Sequence, residues 1–168
     1  VGAEVYKNKE QLPYYLGSMN KIKITNETIY NKWINIDTNN IYIDGIADVA
    51  LIVTNIDFTQ YPHLCLKLAD KVGEVGSDCY VIGNPGGVDE DSISKGIVRD
   101  PHYTEPSGYH ITDSIHINAP GIGGNSGGPI INNDSNVIGI YTFGLSYHEA
   151  FGGGSNRDTL YKTLNTLT

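Results

Sequence analysis

The nine residues Gly121-Ile122-Gly123-Gly124-Asn125-Ser126-Gly127-Gly128-Pro129 constrain this chain more than any other stretch. Five glycines surround one serine, and the apolar pair Ile130-Ile131 follows at once. Glycine permits the positive φ angles of a tight turn and lets other atoms approach its N–H closely. A serine held on such a turn can expose its Oγ while neighbouring amides point at whatever the Oγ attacks. A lone G-x-S-x-G reads most simply as a glycine-rich hairpin loop. The longer string Gly-Asn-Ser-Gly-Gly-Pro is far more specific.

Around this loop the chain reads as short β-type runs. Lys21–Thr25 alternates cleanly, and Trp33–Ile36, Ile41–Ile43, Val49–Thr54, Leu66–Leu68, Cys79–Ile82, Ser94–Val98, His110–Ile117, Pro129–Ile131 and Val137–Phe143 read as further strands. Polar clusters such as Asp37-Thr38-Asn39-Asn40 mark turns between them. Only the C-terminus reads as a helix. Ser155 is expected to cap it with Asp158 three residues on, and Leu160, Leu164 and Leu167 mark one face. The pattern is all-β with one terminal helix, most simply a barrel or a pair of barrels. The polar stretch Ala69–Ser77 is the expected join, giving domains of about residues 1–70 and 71–168.

Several of these segments, in this order, resemble the chymotrypsin-like serine peptidases, in particular the HtrA/Deg branch. The serine loop has that branch's Gly-Asn-Ser-Gly-Gly form. Asp48-Val49-Ala50-Leu51-Ile52 is similar to the segment that carries the family's triad aspartate at the head of a strand. Tyr61-Pro62-His63-Leu64-Cys65-Leu66-Lys67-Leu68 resembles the Leu-Pro-x-Leu-x-Leu connection. Val75–Gly87 resembles Val-Gly-Asp…Ile-Gly-Asn-Pro-x-Gly, and Ser94-Lys95-Gly96-Ile97-Val98 resembles Ser-x-Gly-Ile-Val. Ile111-Thr112-Asp113 and Val137-Ile138-Gly139-Ile140 complete the series.

The resemblance implies a double β-barrel and a trypsin-like serine protease acting on a protein or peptide without a cofactor. It implies that Ser126 is the nucleophile, that the N–H groups of Gly124 and Ser126 form the oxyanion hole, and that Asp48 orients a histidine. It also implies that Thr142-Phe143-Gly144 pairs with substrate backbone in a β-augmentation mode. Ala119-Pro120-Gly121 and Gly152-Gly153-Gly154 would then wall a specificity pocket. None of these carries a charge, so a neutral residue is expected at the cleavage position.

The histidine departs from the pattern. The family order is His, Asp, Ser, yet His63, His102, His110, His116 and His148 all follow Asp48. Each reads as a surface or strand histidine. Val1-Gly2 does not fit a trypsin-type activated terminus, because Asn125, and not an aspartate, precedes Ser126. The chain is better placed just beyond the family's Thr-Ala-x-His-Val-Val motif, with Lys21–Thr25, Trp33–Ile36 and Ile41–Ile43 between His and Asp. The N-terminal barrel is then incomplete, and the histidine is expected on an upstream segment or a second chain. The first residue is valine and the one methionine is Met19, so the sequence is expected to begin after a cleavage or at an artificial boundary. The rival reading is a pseudo-protease that keeps the barrel as a peptide-binding or structural module.

Charge narrows the partners. Eleven basic against nineteen acidic side chains give a net charge of −8 and no Lys/Arg cluster, which argues against nucleic acid. No apolar run reaches membrane-spanning length. Cys65 and Cys79 sit among strand-forming residues and read as buried free thiols, with a bridge possible only if those segments pair. They form no metal pattern with the histidines, so no metal is expected.

Overall fold

A computed structural model describes residues 21–26, 30–35, 38–87, 92–104, 113–145 and 148–167. Val1, Gly2, Met19, Ile36 and His110–Thr112 lie outside the described residues.

Among the described residues ten strands and one α-helix follow one another. β1 (Lys21–Asn26) pairs antiparallel with β2 (Tyr30–Asn35), and β3 (Ile41–Asp44) pairs antiparallel with β4 (Val49–Ile52). The remaining strands are β5 (Asp78–Gly83), β6 (Ser92–Tyr103), β7 (Ser114–Asn118), β8 (Pro129–Ile131), β9 (Val137–Leu145) and β10 (His148–Asn156). These six close into an antiparallel barrel in the order β10-β7-β6-β5-β8-β9. Helix α1 (Arg157–Leu167) ends the chain. The expected chymotrypsin-like all-β fold with a terminal helix is what is observed. Among the described residues one barrel is closed, and the earlier strands form two separate two-stranded sheets.

The barrel closes around alternating apolar residues. Cys79 and Val81 on β5 and Ile115 and Ile117 on β7 are two apart, so each pair points to the same face. With Val98, Ile130 and Ile138 they form a core in which each is 1% exposed or less. Burying an isoleucine side chain is worth roughly 1.5–3 kcal/mol, which makes this core the main source of cohesion.

Several local expectations are corrected. Leu66–Leu68 forms no strand; Leu68 makes a single parallel bridge to Val137, and the segment leads Ala69 and Val72 into the barrel core. The β10 strand was not expected, because its Gly152-Gly153-Gly154 run has low strand propensity. Its neighbours explain the glycines, since a Cβ on Gly153 would strike the carbonyl of Ile115 and one on Gly154 that of Ile140. The helix is capped by Asn156, whose Oδ1 accepts the Thr159 N–H at 2.9 Å, and not by Ser155. Its buried face is Leu160 and Thr163, while Leu164 is exposed. The thiols are free, but only Cys79 is buried; Cys65 lies on the surface among one-turn 3-10 helices.

Candidate active site

The Ser126 loop is built from interlocked turns. Asn125 N–H donates to the Ile122 carbonyl at 3.2 Å, and Gly128 N–H donates to the Asn125 carbonyl at 2.9 Å. Gly124 and Gly127 have φ of 106° and 87°, a region that side-chain-bearing residues rarely adopt. Two backbone bonds fasten the loop to β9: Gly127 N–H donates to Tyr141 O at 2.8 Å, and Tyr141 N–H donates to Gly128 O at 2.9 Å. Ser126 itself is exposed, and its Oγ makes a long contact of 3.5 Å with the Thr142 carbonyl.

The peptide between Gly123 and Gly124 is oriented by a second turn. Gly86, in the Pro85–Gly87 turn after β5, donates its N–H to the Gly123 carbonyl at 2.7 Å. A trans peptide opposes its C=O and N–H, so the Gly124 N–H points away from that turn. Neither this amide nor that of Ser126 donates to a backbone carbonyl among the described residues. Among the described residues, the two N–H groups on either side of Asn125 are therefore left without a backbone acceptor.

Asp48 comes from the four-residue turn between β3 and β4, where it has φ 53°, a left-handed conformation that aspartate tolerates better than most residues. Asp44 shapes this turn, its Oδ1 accepting the N–H groups of Ile46 at 3.1 Å and Ala47 at 3.0 Å. The C-terminal elements hold it in place. Ser155 Oγ donates to the Ala47 carbonyl, and Thr163 Oγ1 donates to Asp44 Oδ2 at 3.3 Å. Asp48 is half-buried, and burial holds its pKa above the ordinary carboxylate value.

Asp48 and Ser126 line one cleft of about 400 Å³. Its apolar walls include Ile41, Ile43 and Ile52 from the hairpin and Ile140 from β9. Of the expected substrate-binding residues, Thr142 lines the cleft. Phe143 sits 6.3 Å from the Tyr103 ring, centroid to centroid, and Gly144 is exposed. On β9, pairing with β8 ends at Ile140, whereas pairing with β10 continues through Phe143 and Gly144.

Three histidines are described in full and none lines this cleft. His63 is exposed in the Pro62–Leu64 turn. The ring of His102 pairs with Asp113 at 3.0 Å on the surface. His116 is buried against Tyr103, and desolvation together with Arg99 lowers its pKa. The side chains of His110 and His148 are outside the described set. Among the described residues no three His, Cys, Asp or Glu converge as a metal ion would require.

Sequence reasoning missed Tyr141, Asp44 and Ser155. Only Tyr141 had a readable signal, a large aromatic in a strand facing glycine-rich neighbours. The other two act through partners over a hundred residues away, or through a turn whose form is not evident in the sequence.

Residues 18–140 match the model of the trypsin-like peptidase domain. This chain belongs to the trypsin-like peptidase family of serine proteases. It is similar to Protease Do-like 5, chloroplastic, of Arabidopsis thaliana, with 36% identity over 102 residues, 60% of this chain and 31% of that protein. It is also similar to the pro-apoptotic serine protease nma111 of Aspergillus oryzae, with 30% identity over 114 residues, 64% of this chain and 11% of that protein. The chain thus spans 31% or less of the length of these two relatives. Among solved structures, the active form of the M. tuberculosis Rv3671c protease superposes with a TM-score of 0.63 at 25% identity, covering 80% of this chain and 59% of that one. The Yersinia pestis serine endoprotease shares the fold with a TM-score of 0.62 at 19% identity, over 88% of this chain and 48% of that one.

Proposed function

We propose that this protein cleaves peptide bonds through an acyl-enzyme on Ser126, with Asp48 orienting a histidine supplied from outside these 168 residues, on a preceding segment or a second chain. The observation that carries the reading is the cleft that Asp48 and Ser126 share. In the first half-reaction the Ser126 Oγ bonds to the substrate carbonyl carbon as the histidine takes its proton. The C–N bond then breaks, and the amine leaves with that proton. Water, deprotonated by the same histidine, hydrolyses the ester and restores Ser126. The amides of Gly124 and Ser126 stabilise the oxyanion, each worth about 3 kcal/mol of barrier. The half-buried Asp48 carboxylate gains a donor when the imidazole N–H reaches it.

The second reading, a peptide-binding module without hydrolysis, draws on one observation: none of the three fully described histidines lines the cleft. Fluorophosphonate labelling separates the two, because it needs both a base and an oxyanion hole. The full-length protein with its histidine-bearing partner segment is expected to label at Ser126, and Ser126→Ala to abolish labelling. Asp48→Asn should slow labelling steeply, since the matching change in the chymotrypsin triad lowers kcat by about 10⁴. Residues 1–168 alone should label barely. Absence of labelling in the intact folded protein would leave the binding module standing.

A further inference from the structure

Tyr141 is the one aromatic residue among those lining the cleft beside Ser126. Its backbone is bonded to Gly127 and Gly128, directly after the serine, so its position is tied to that of the nucleophile. The residue is 2% exposed. Three glycines from separate segments lie against the phenol. A Cβ on Gly121 would fall on the hydroxyl and ring, one on Gly152 would lie 2.5 Å from the oxygen, and one on Gly144 3.4 Å from it. Gly144 and Gly152 face each other across the β9–β10 pair, while Gly121 leads into the serine loop. The backbone therefore leaves a slot between these glycines, and the chain's own ring fills it.

Among the described residues, the hydroxyl at the end of that ring has no hydrogen-bond partner. A buried O–H left unpaired is costly, and phenylalanine would fill the same space without that cost. Packing alone does not explain a tyrosine here.

We propose that Tyr141 sets the size of the residue whose carbonyl Ser126 attacks: with the ring in this slot, the side chain presented to it is no larger than that of alanine or serine. The proposal rests on the peptidase reading and adds the substrate class to it. In a chain with an empty slot, an aromatic or leucine side chain would occupy the space that the Tyr141 ring holds. Here the steric overlap would reject it, because closely packed walls do not yield by a ring's volume.

The test uses peptidyl diphenyl phosphonates that share one leader and end in analogues of alanine, leucine or phenylalanine. They are reacted with the full-length protein beside a small fluorophosphonate. With each diphenyl phosphonate the Ser126 Oγ bonds to phosphorus and one phenol departs with the serine proton; with the fluorophosphonate the same bond forms and fluoride departs with that proton. The alanine analogue should react on the order of 100-fold faster than the phenylalanine analogue. Tyr141→Val, which removes the ring but places a strand-forming residue at the same position, should narrow that ratio to about tenfold or less. Tyr141→Phe, which keeps the ring, should preserve it. The proposal is overturned if the phenylalanine analogue reacts as fast as the alanine one, if Tyr141→Val leaves the ratio unchanged, or if Tyr141→Phe abolishes it. If no probe labels Ser126, the peptidase reading fails separately. The size limit is then read from NMR titrations of Ser126→Ala with peptides ending in alanine or phenylalanine. Tighter binding of the alanine peptide supports it, and equal or weaker binding overturns it.

Discussion

The six-stranded barrel and the β3–β4 hairpin face the same cleft but are held by different means. The barrel is closed, so each of its strands has a partner on both sides, and its core residues are almost wholly enclosed. The hairpin has two strands and contributes no residue to that core. What docks it includes two hydroxyl hydrogen bonds, from Ser155 and Thr163, and the burial of Ile41 and Ala47. Ser126 stands on the self-sufficient region and Asp48 on the dependent one. An isolated two-stranded hairpin is marginal in water, so the position of Asp48 is a property of the docking and not of the hairpin.

The largest test of this contrast is Ile130→Ala, which removes a fully buried side chain from the barrel. It should cost about 3 kcal/mol in chemical denaturation, and the hairpin should unfold with the barrel it leans on. Hairpin amides that stayed protected after the barrel had melted would break the idea of dependence. Ser155→Ala should cost less, about 1–2 kcal/mol, because it leaves the Ala47 carbonyl without its donor. Its signature is regional: hydrogen exchange should quicken over residues 45–52 while barrel amides hold their protection. A uniform loss across β5–β9 would mean that Ser155 serves the barrel instead.

Asn156→Ala should cost about 1–2 kcal/mol, through the lost helix cap and the bonds its Nδ2 donates to Pro101 O and Asp113 Oδ1, read as a lower midpoint with little change in exchange at the hairpin. The smallest effect is expected at Asp48, with the opposite sign. Burial raises its folded pKa above the ordinary 3.8, so the folded state favours the protonated form. That preference stabilises the fold at low pH and is lost as the pH rises through the raised value. Asp48→Asn should therefore melt slightly higher than the parent at pH 7, and the gap should close near pH 3. A lower melting temperature at pH 7 would show that the carboxylate supports the hairpin it sits on.

How much of this could be read from the sequence follows the same division. The serine loop was legible because its glycines are local: positive φ at Gly124 and Gly127 is a demand that a short string states openly. Most barrel strands were legible from alternation, as at Cys79 and Val81. β10 was not, because its glycines answer to carbonyls on β7 and β9, which a one-dimensional pattern does not reveal. Ser155 was misread as a cap for a related reason. Its position one residue before Asn156 suits a helix start, yet its hydroxyl belongs to a turn 108 residues earlier. Tyr141 carries a partial signal, an aromatic strand residue in a glycine-rich chain, but which three glycines surround its ring is set by the fold.

The bond between Ser155 and Ala47 also sets an order of events during synthesis. The turn carrying Asp48 leaves the ribosome 108 residues before Ser155 does, and Thr163 follows later still. At about 5–20 residues per second, that is a delay of roughly 5–20 seconds. Through that interval the nascent chain has the hairpin sequence but not the hydroxyls that fix it. The serine loop and the aspartate thus meet in a fixed site only after β10 and α1 have been made, and a chain truncated before β10 would carry the serine loop's sequence without a site.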